Sequence, residues 1–182
     1  MILKIKPDKK DIVIARFAAL AIGIHVLESL LPSPVPGIKP GFANIITLLV
    51  YMVYGFSAAT WVSILRVLVG SIIVGTFLSP TFVLSFSGAF ASLLMLYCCD
   101  QFNRHYLSEK LSVFSLAILM SMAHMATQFL MVYVFFIPHQ ALLDILPIMM
   151  TAALIFGAFN GIVAYRVHAL VHAKVHIKQE IV

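Results

Sequence analysis

The chain has 182 residues, of which 62% are hydrophobic and only 10% are charged, and its formal net charge is +5. A soluble domain carries about 25% charged residues, so this composition excludes a water-exposed surface over most of the chain and predicts one all-α membrane domain. The charges lie at the ends of hydrophobic segments and form no basic face with interleaved aromatic residues, which argues against nucleic-acid binding.

Six hydrophobic segments follow one another, and a hydrocarbon core of about 30 Å takes about 20 helical residues. We predict six transmembrane helices, with a basic N-terminus at residues 1–11, the membrane domain at 12–165 and a basic tail at 166–182. The break between the second and third helices is placed at Gly55, because a single helix over 42–76 would be about 52 Å long. The predicted helices cover residues 12–31, 42–54, 58–74, 82–98, 112–136 and 146–165.

The distribution of lysine and arginine predicts how these helices are oriented in the membrane. With six spans, three basic groups fall on one side of the membrane and Lys39 alone on the other. The positive-inside rule then places both termini in the cytoplasm and the chain in the bacterial cytoplasmic (inner) membrane as a multi-pass protein. The three groups are Lys4, Lys6, Lys9 and Lys10; Arg104 and Lys110; and Arg166, Lys174 and Lys178.

Polar side chains occur inside the predicted helices, where an ionisable group costs roughly 2.5–3.5 kcal/mol and usually faces a cavity or a partner. Arg66 lies near the middle of the third helix, and its guanidinium needs an anion such as the carboxylate or phosphate of a ligand. These groups lie from mid-depth towards the outer face, which predicts a polar recess that opens outwards. The candidate ligand-binding residues are Arg66, Glu28, His25, Lys39, Asn44, His124, Gln128 and Asn160.

Structural interpretations of the same residues stay open. Glu28 can form an internal ion pair with Arg66 or with Lys39. The imidazole and amide groups of the fifth and sixth helices can hydrogen-bond between helices, and the asparagine that opens the second helix can cap it. The prolines and glycines of 32–41 stiffen the loop before that helix, which favours a lid or pocket wall over a plain connector.

Motifs for catalysis are missing from the sequence. It has no glycine-rich phosphate loop, no HExxH and no paired-aspartate DDxxD, so we predict no catalytic residue, no cofactor and no metal. Cys98 and Cys99 are adjacent and are interpreted as reduced thiols. The tail histidines His168, His172 and His176 share one helical face, but no cysteine or carboxylate completes a metal site, and a surface-lying basic helix is favoured.

The strings LPSPVPGIKPGFANIITLL and LRVLVGSIIVGTFLSPTFVLSFSGAFASLLM resemble the Gx transporter family, whose members are also labelled heptaprenyl diphosphate synthase component I. SMAHMATQ in the fifth helix is similar to that family's alanine–histidine–x–x–x–glutamine pattern. The resemblance covers residues 15–165. The family in turn resembles the S components of energy-coupling factor transporters, which implies a six-helix bundle with an outward-facing pocket capped by loops.

The resemblance also implies partners. Small residues on the first helix would dock a membrane coupling subunit, and ATP hydrolysis would reside on separate ATPase subunits. The leading hypothesis is the substrate-binding subunit of an uptake transporter for a small anionic or amphipathic compound. The alternatives are a non-catalytic accessory membrane subunit of a polyprenyl (heptaprenyl) diphosphate synthase and a structural membrane scaffold. The predicted docking residues are Ala15, Ala18, Ala19, Ala21 and Gly23.

Overall fold

The computed structural model describes residues 8–30, 39, 41–106 and 111–180. This part of the chain is helical and contains no strand, which confirms the all-α prediction. The helices are α1 (Lys9–Ser29), α2 (Asn44–Tyr54), α3 (Phe56–Val74), α4 (Pro80–Tyr106), α5 (Val113–Met131) with a π-helical continuation (Val132–Phe136), and α6 (Gln140–Glu180).

Five of these helices, all except α2, are long and apolar enough to cross a membrane. Helix α2 has 11 residues, so its rise of about 16 Å is well short of the hydrocarbon core. The chain is therefore a multi-pass membrane protein. The count of six spans and the cytoplasmic location of both termini stay predictions.

The predicted break at Gly55 is confirmed. Helix α2 ends at Tyr54 and α3 begins at Phe56, with Gly55 at a φ of 83° between them. Glycine adopts this left-handed conformation readily because it has no Cβ. The chain can therefore change direction within one residue.

Two helices are longer than predicted. Helix α4 continues past Cys98 to Tyr106, and α6 runs over Gln140–Glu180 with Pro147 inside it, whereas 146–165 was expected. Hydropathy reports only the part of a helix that lies in an apolar environment. Beyond residue 165 the sequence has no glycine or proline, and its alanine, leucine and lysine residues favour helix, so nothing ends α6 there. The side chains of His172 and His176 lie outside the described residues, and the surface position of the tail stays a prediction.

Helix α5 packs along both α4 and α6, while α1 packs on α3. The small residues of α6 permit the close approach to α5. A methyl group added at Gly157 would lie 2.9 Å from the Cα of Ile118, and one at Gly161 would lie 3.0 Å from the Cα of Phe114. This stripe therefore serves packing within the chain.

The small residues of α1 divide between two faces. Ala18 and Ala21 are buried against α2 and α3, so these two predicted docking residues do not lie on the exposed surface of α1. Ala15, Ala19 and Gly23 are exposed. The residues divide because five small residues within nine positions cannot all share one helical face, and one hydrophobic stripe of α1 must face the core. Docking of a partner on α1 stays a prediction.

The segment that leads into α2 lies inside the bundle. Lys39 and Gly41 are buried, and every residue of α2 from Asn44 to Val50 is buried as well. Non-helical backbone at membrane depth is tolerated where protein surrounds it. This placement brings a lysine from a loop among the polar side chains of the helices.

Candidate functional site

Six of the predicted ligand-binding residues line one small cavity. Its walls come from α1, the segment before α2, α3, α4 and α5, and all six side chains are buried. We call this group the Arg66 cluster, and it consists of His25, Glu28, Lys39, Arg66, His124 and Gln128.

The cluster contains more positive than negative charge. Arg66 is 2% exposed and Lys39 is 8% exposed, while Glu28, 4% exposed, is the single carboxylate. One Glu28 oxygen accepts a hydrogen bond from the backbone N–H of Phe42. Neither cation comes within 4.0 Å of that carboxylate, since the one ion pair among the described residues lies elsewhere in the chain. The predicted internal ion pair is therefore not formed at contact distance.

Both cations of the cluster have atoms without a hydrogen-bond partner among the described residues. These atoms are the Nζ of Lys39 and the Nε of Arg66. A buried donor without an acceptor costs free energy, and a charged donor costs more than a neutral one. The cluster is thus short of both negative charge and acceptor atoms.

Gln128 connects three parts of the chain. Its Oε1 accepts a hydrogen bond from the backbone N–H of Lys39 at 3.3 Å, and its Nε2 donates to the carbonyl of Leu84 at 3.2 Å. This side chain therefore joins the segment before α2 to α4 and α5.

The predicted asparagines lie beside the cluster. The Nδ2 of Asn160 donates to the carbonyl of Gly41 at 3.4 Å, and the Nδ2 of Asn44 donates to the Oγ of Ser92 at 3.3 Å. Ser92 also donates to the carbonyl of Met120 at 3.1 Å and lies 3.3 Å from the Nδ1 of His124. The amides thus brace the backbone before α2 and the imidazole of α5.

Sequence reasoning missed the contribution of α4. Ser85, Gly88 and Ser92 lie three and four residues apart, so they share the face that meets the cluster. A methyl group at Gly88 would lie 2.7 Å from the Cε1 of His124. A similar relationship holds between α3 and α1, where a methyl group at Gly70 would lie 2.8 Å from the Cδ2 of His25. Small residues at helical spacing in LSFSGAFAS were the available signal.

The described residues leave little free space in the cluster. Its cavity has a volume of about 10 Å³, roughly the room of one water molecule. The sequence predicted a recess that opens outwards, and the structure differs because Lys39 is buried among the helices. The side chains of the cluster fill the space that an empty recess would occupy.

Metal binding has no support in the described part of the chain. No three histidine, cysteine, aspartate or glutamate side chains there are grouped to hold a metal ion. Cys98 and Cys99 are free, the first exposed and the second buried. The arrangement can bind and orient an anion, and the Ser92 hydroxyl beside His124 donates to the Met120 carbonyl.

Comparison with known proteins identifies the family. The family model described as heptaprenyl diphosphate synthase component I matches residues 17–167, which include the whole Arg66 cluster. No curated protein and no solved structure matches the chain. The match confirms the family that the proline–glycine loop and the arginine–glycine–serine segment predicted. With most of its length matched, the chain belongs to the heptaprenyl diphosphate synthase component I family.

Proposed function

We propose that this chain is a non-catalytic membrane subunit that binds a small anionic or amphipathic compound at the Arg66 cluster. The observation that carries the proposal is the excess of buried positive charge, with two cations beside one carboxylate. The unpartnered Nε of Arg66 and Nζ of Lys39 add two donors that lack acceptors among the described residues. A carboxylate or phosphate group would supply the charge and the acceptors together.

Ligand entry requires movement of the segment around Lys39. A cavity of about 10 Å³ cannot admit an organic anion as it stands. The Lys39 backbone is tied to α5 by one hydrogen bond of 3.3 Å to Gln128, which is weak enough to exchange for a ligand contact. After displacement, the imidazoles of His25 and His124 would line the enlarged site.

The family description favours assembly with a polyprenyl (heptaprenyl) diphosphate synthase, with this chain as an accessory subunit. Prenyl diphosphates combine an anionic head with an apolar chain, which suits a cationic cluster inside apolar helices. The chemistry would reside on the partner, because diphosphate chemistry with Mg²⁺ needs clustered carboxylates and this sequence has no paired-aspartate motif.

A second candidate is the substrate-binding subunit of an uptake transporter that resembles S components of energy-coupling factor transporters. The observation that favours it is the exposed stripe of Ala15, Ala19 and Gly23 on α1. Small residues four apart allow the helix of a membrane coupling subunit to approach closely. ATPase subunits would then supply the energy.

Either assembly uses the same proposed topology. Helix α2 belongs to the second of six crossings, and both termini lie in the cytoplasm of a bacterial cell. Attaching a reporter enzyme at Val182 and, separately, in the region between α1 and α2 tests this. The two reporters should report opposite sides of the membrane, and the same side for both would reject the topology.

Affinity purification in a mild detergent, with mass spectrometry of proteins and small molecules, separates the two assemblies. Recovery of a DDxxD-containing prenyl synthase supports the accessory subunit, and recovery of coupling and ATPase subunits supports transport. The binding function itself is tested by the bound small molecules. If no anionic compound is retained by the wild-type protein above the level of an Arg66→Met variant, the proposal is rejected.

A further inference from the structure

A second and larger cavity lies towards the other end of the bundle, where α4 ends and α5 begins. It is a groove of about 1080 Å³ between α2, α4, α5 and α6. We call it the Arg104 groove, and the side chains that define it here are Tyr51, Asp100, Arg104, Phe114, Ile162 and Arg166. None of these residues belongs to the Arg66 cluster.

The polar side of the Arg104 groove is cationic. Arg104 from α4 and Arg166 from α6 both line it. The carboxylate of Asp100 is already engaged, because one oxygen accepts from the Tyr51 hydroxyl at 2.6 Å and the other pairs with Arg104 at 2.8 Å. The side chain of Arg104 is still 66% exposed, so donor groups remain accessible. The groove thus presents net positive charge to a ligand.

The remaining wall of the groove is apolar. Phe114 is 44% exposed and Ile162 is 54% exposed, and Leu116 lies deeper between them. Both exposed residues belong to membrane-spanning helices, so this wall faces the acyl chains of the bilayer. A ligand that satisfies both parts needs an anionic head and an apolar body, and the volume is large enough for a head group with the first part of its chains.

Charge distribution indicates which leaflet supplies the ligand. Arg104 and Arg166 belong to two of the basic groups that the positive-inside rule assigns to the cytoplasm. The inner leaflet carries the anionic lipids, and basic pockets between transmembrane helices on that side bind their head groups.

We propose that the Arg104 groove binds an anionic phospholipid of the inner leaflet. Its phosphate lies between Arg104 and Arg166, where charged donors form strong hydrogen bonds, and its acyl chains lie against Phe114 and Ile162. Asp100 holds Arg104 in position and offsets part of its charge, so Arg166 supplies the excess positive charge that attracts the phosphate. This site is separate from the Arg66 cluster and does not depend on the function proposed for it.

Native mass spectrometry of the full chain, with phosphatidylglycerol or phosphatidylcholine added to detergent-purified protein, tests the proposal. We expect phosphatidylglycerol to bind about tenfold more tightly or better, and Arg166→Gln to remove most of that difference. The side chain of Arg166 is exposed and forms no hydrogen bond or ion pair with the described residues, so we expect Arg166→Gln to fold like the wild type. Arg104→Lys together with Arg166→Lys should retain part of the preference. Arg16→Gln, at an exposed arginine of α1, is the matched control and should retain all of it.

Three outcomes overturn the proposal. The first is equal binding of the two lipids, and the second is a preference that Arg166→Gln leaves unchanged. The third comes from competition with farnesyl diphosphate or with glycerol phosphate. If either displaces phosphatidylglycerol at a lower concentration than phosphatidylglycerol itself needs to bind, the groove serves a soluble phosphate compound and not a bilayer lipid.

Discussion

The backbone N–H of Lys39 donates a hydrogen bond to the side-chain Oε1 of Gln128, a residue 89 positions further along the chain. This contact fixes a loop lysine beside Arg66, two like charges that would repel each other without a counter-charge. Glu28 offsets one of them. The remaining positive charge is the physical basis of the proposed anion site.

Gln128→Leu should release the segment before α2. The substitution leaves the Lys39 N–H without its acceptor, at about 1–3 kcal/mol, whereas the Leu84 carbonyl still accepts from the Ser87 hydroxyl. We expect faster hydrogen–deuterium exchange at Lys39 and lower stability in detergent. Gln140→Leu, at the exposed first residue of α6, is the control. Exchange at Lys39 that matches the wild type would contradict a holding role for Gln128.

Arg66→Met should abolish retention of anionic compounds while keeping the empty protein stable. Methionine removes the excess cation and fills much of the same volume. Lys39 remains as the counter-charge of Glu28, so the substitution leaves no buried carboxylate uncompensated. Mass spectrometry of bound small molecules and thermal unfolding in detergent measure the two effects. The control is Arg16→Met on the exposed face of α1. A large loss of stability in ligand-free Arg66→Met would show that Arg66 is structural.

Unlike Arg66→Met, Glu28→Gln should lower the stability of the protein. It removes the one carboxylate of the cluster and leaves Arg66 and Lys39 buried without a counter-charge. The loss should be smaller than the roughly 3–5 kcal/mol of a broken contact ion pair, because both cations lie beyond contact distance of Glu28. Thermal unfolding in detergent measures it, with Asp144→Asn at an exposed position of α6 as the control. Adding Arg66→Met to Glu28→Gln should restore part of the loss, and the absence of any recovery would argue against coupling between the two charges.

Gly88→Ala should destabilise the packing of α4 on α5. The new methyl group would lie 2.7 Å from the Cε1 of His124 and 2.9 Å from the Cγ of Gln128, and such overpacking costs about 1–3 kcal/mol. Gly23→Ala is the matched control, because no atom lies within 4 Å of its added methyl group and alanine favours helix by up to about 1 kcal/mol. The two variants should therefore shift the unfolding temperature in opposite directions.

Tyr51→Phe should weaken the end of the bundle near the Arg104 groove. It removes the hydroxyl that donates to Asp100 at 2.6 Å, and a hydrogen bond to a charged group contributes about 1.5–3 kcal/mol. Tyr54→Phe keeps the ring contact with Phe17 and serves as the control on the same helix. Equal stability of the two variants would mean that the bond to Asp100 contributes little.

The break between two helices was predicted well from local sequence. The break at Gly55 was predicted because the alternative helix was too long for a membrane, and the structure has it at that residue. The extents of α4 beyond Cys98 and of α6 beyond Tyr165 were predicted poorly, because hydropathy marks only the apolar part of a helix. Which alanines of α1 are buried depends on where α2 and α3 pack against it, and the sequence of α1 alone does not reveal that.

By itself, the sequence determined the all-α membrane class, the family and the set of costly polar groups, because composition and motifs are properties of the chain alone. Only the tertiary structure decided that Lys39 enters the bundle, that Arg66 and Glu28 stay beyond contact distance and that α4 supplies Gly88 and Ser92. These relationships join residues far apart in sequence. They depend on how closely the helices approach one another, which the packing of small side chains decides.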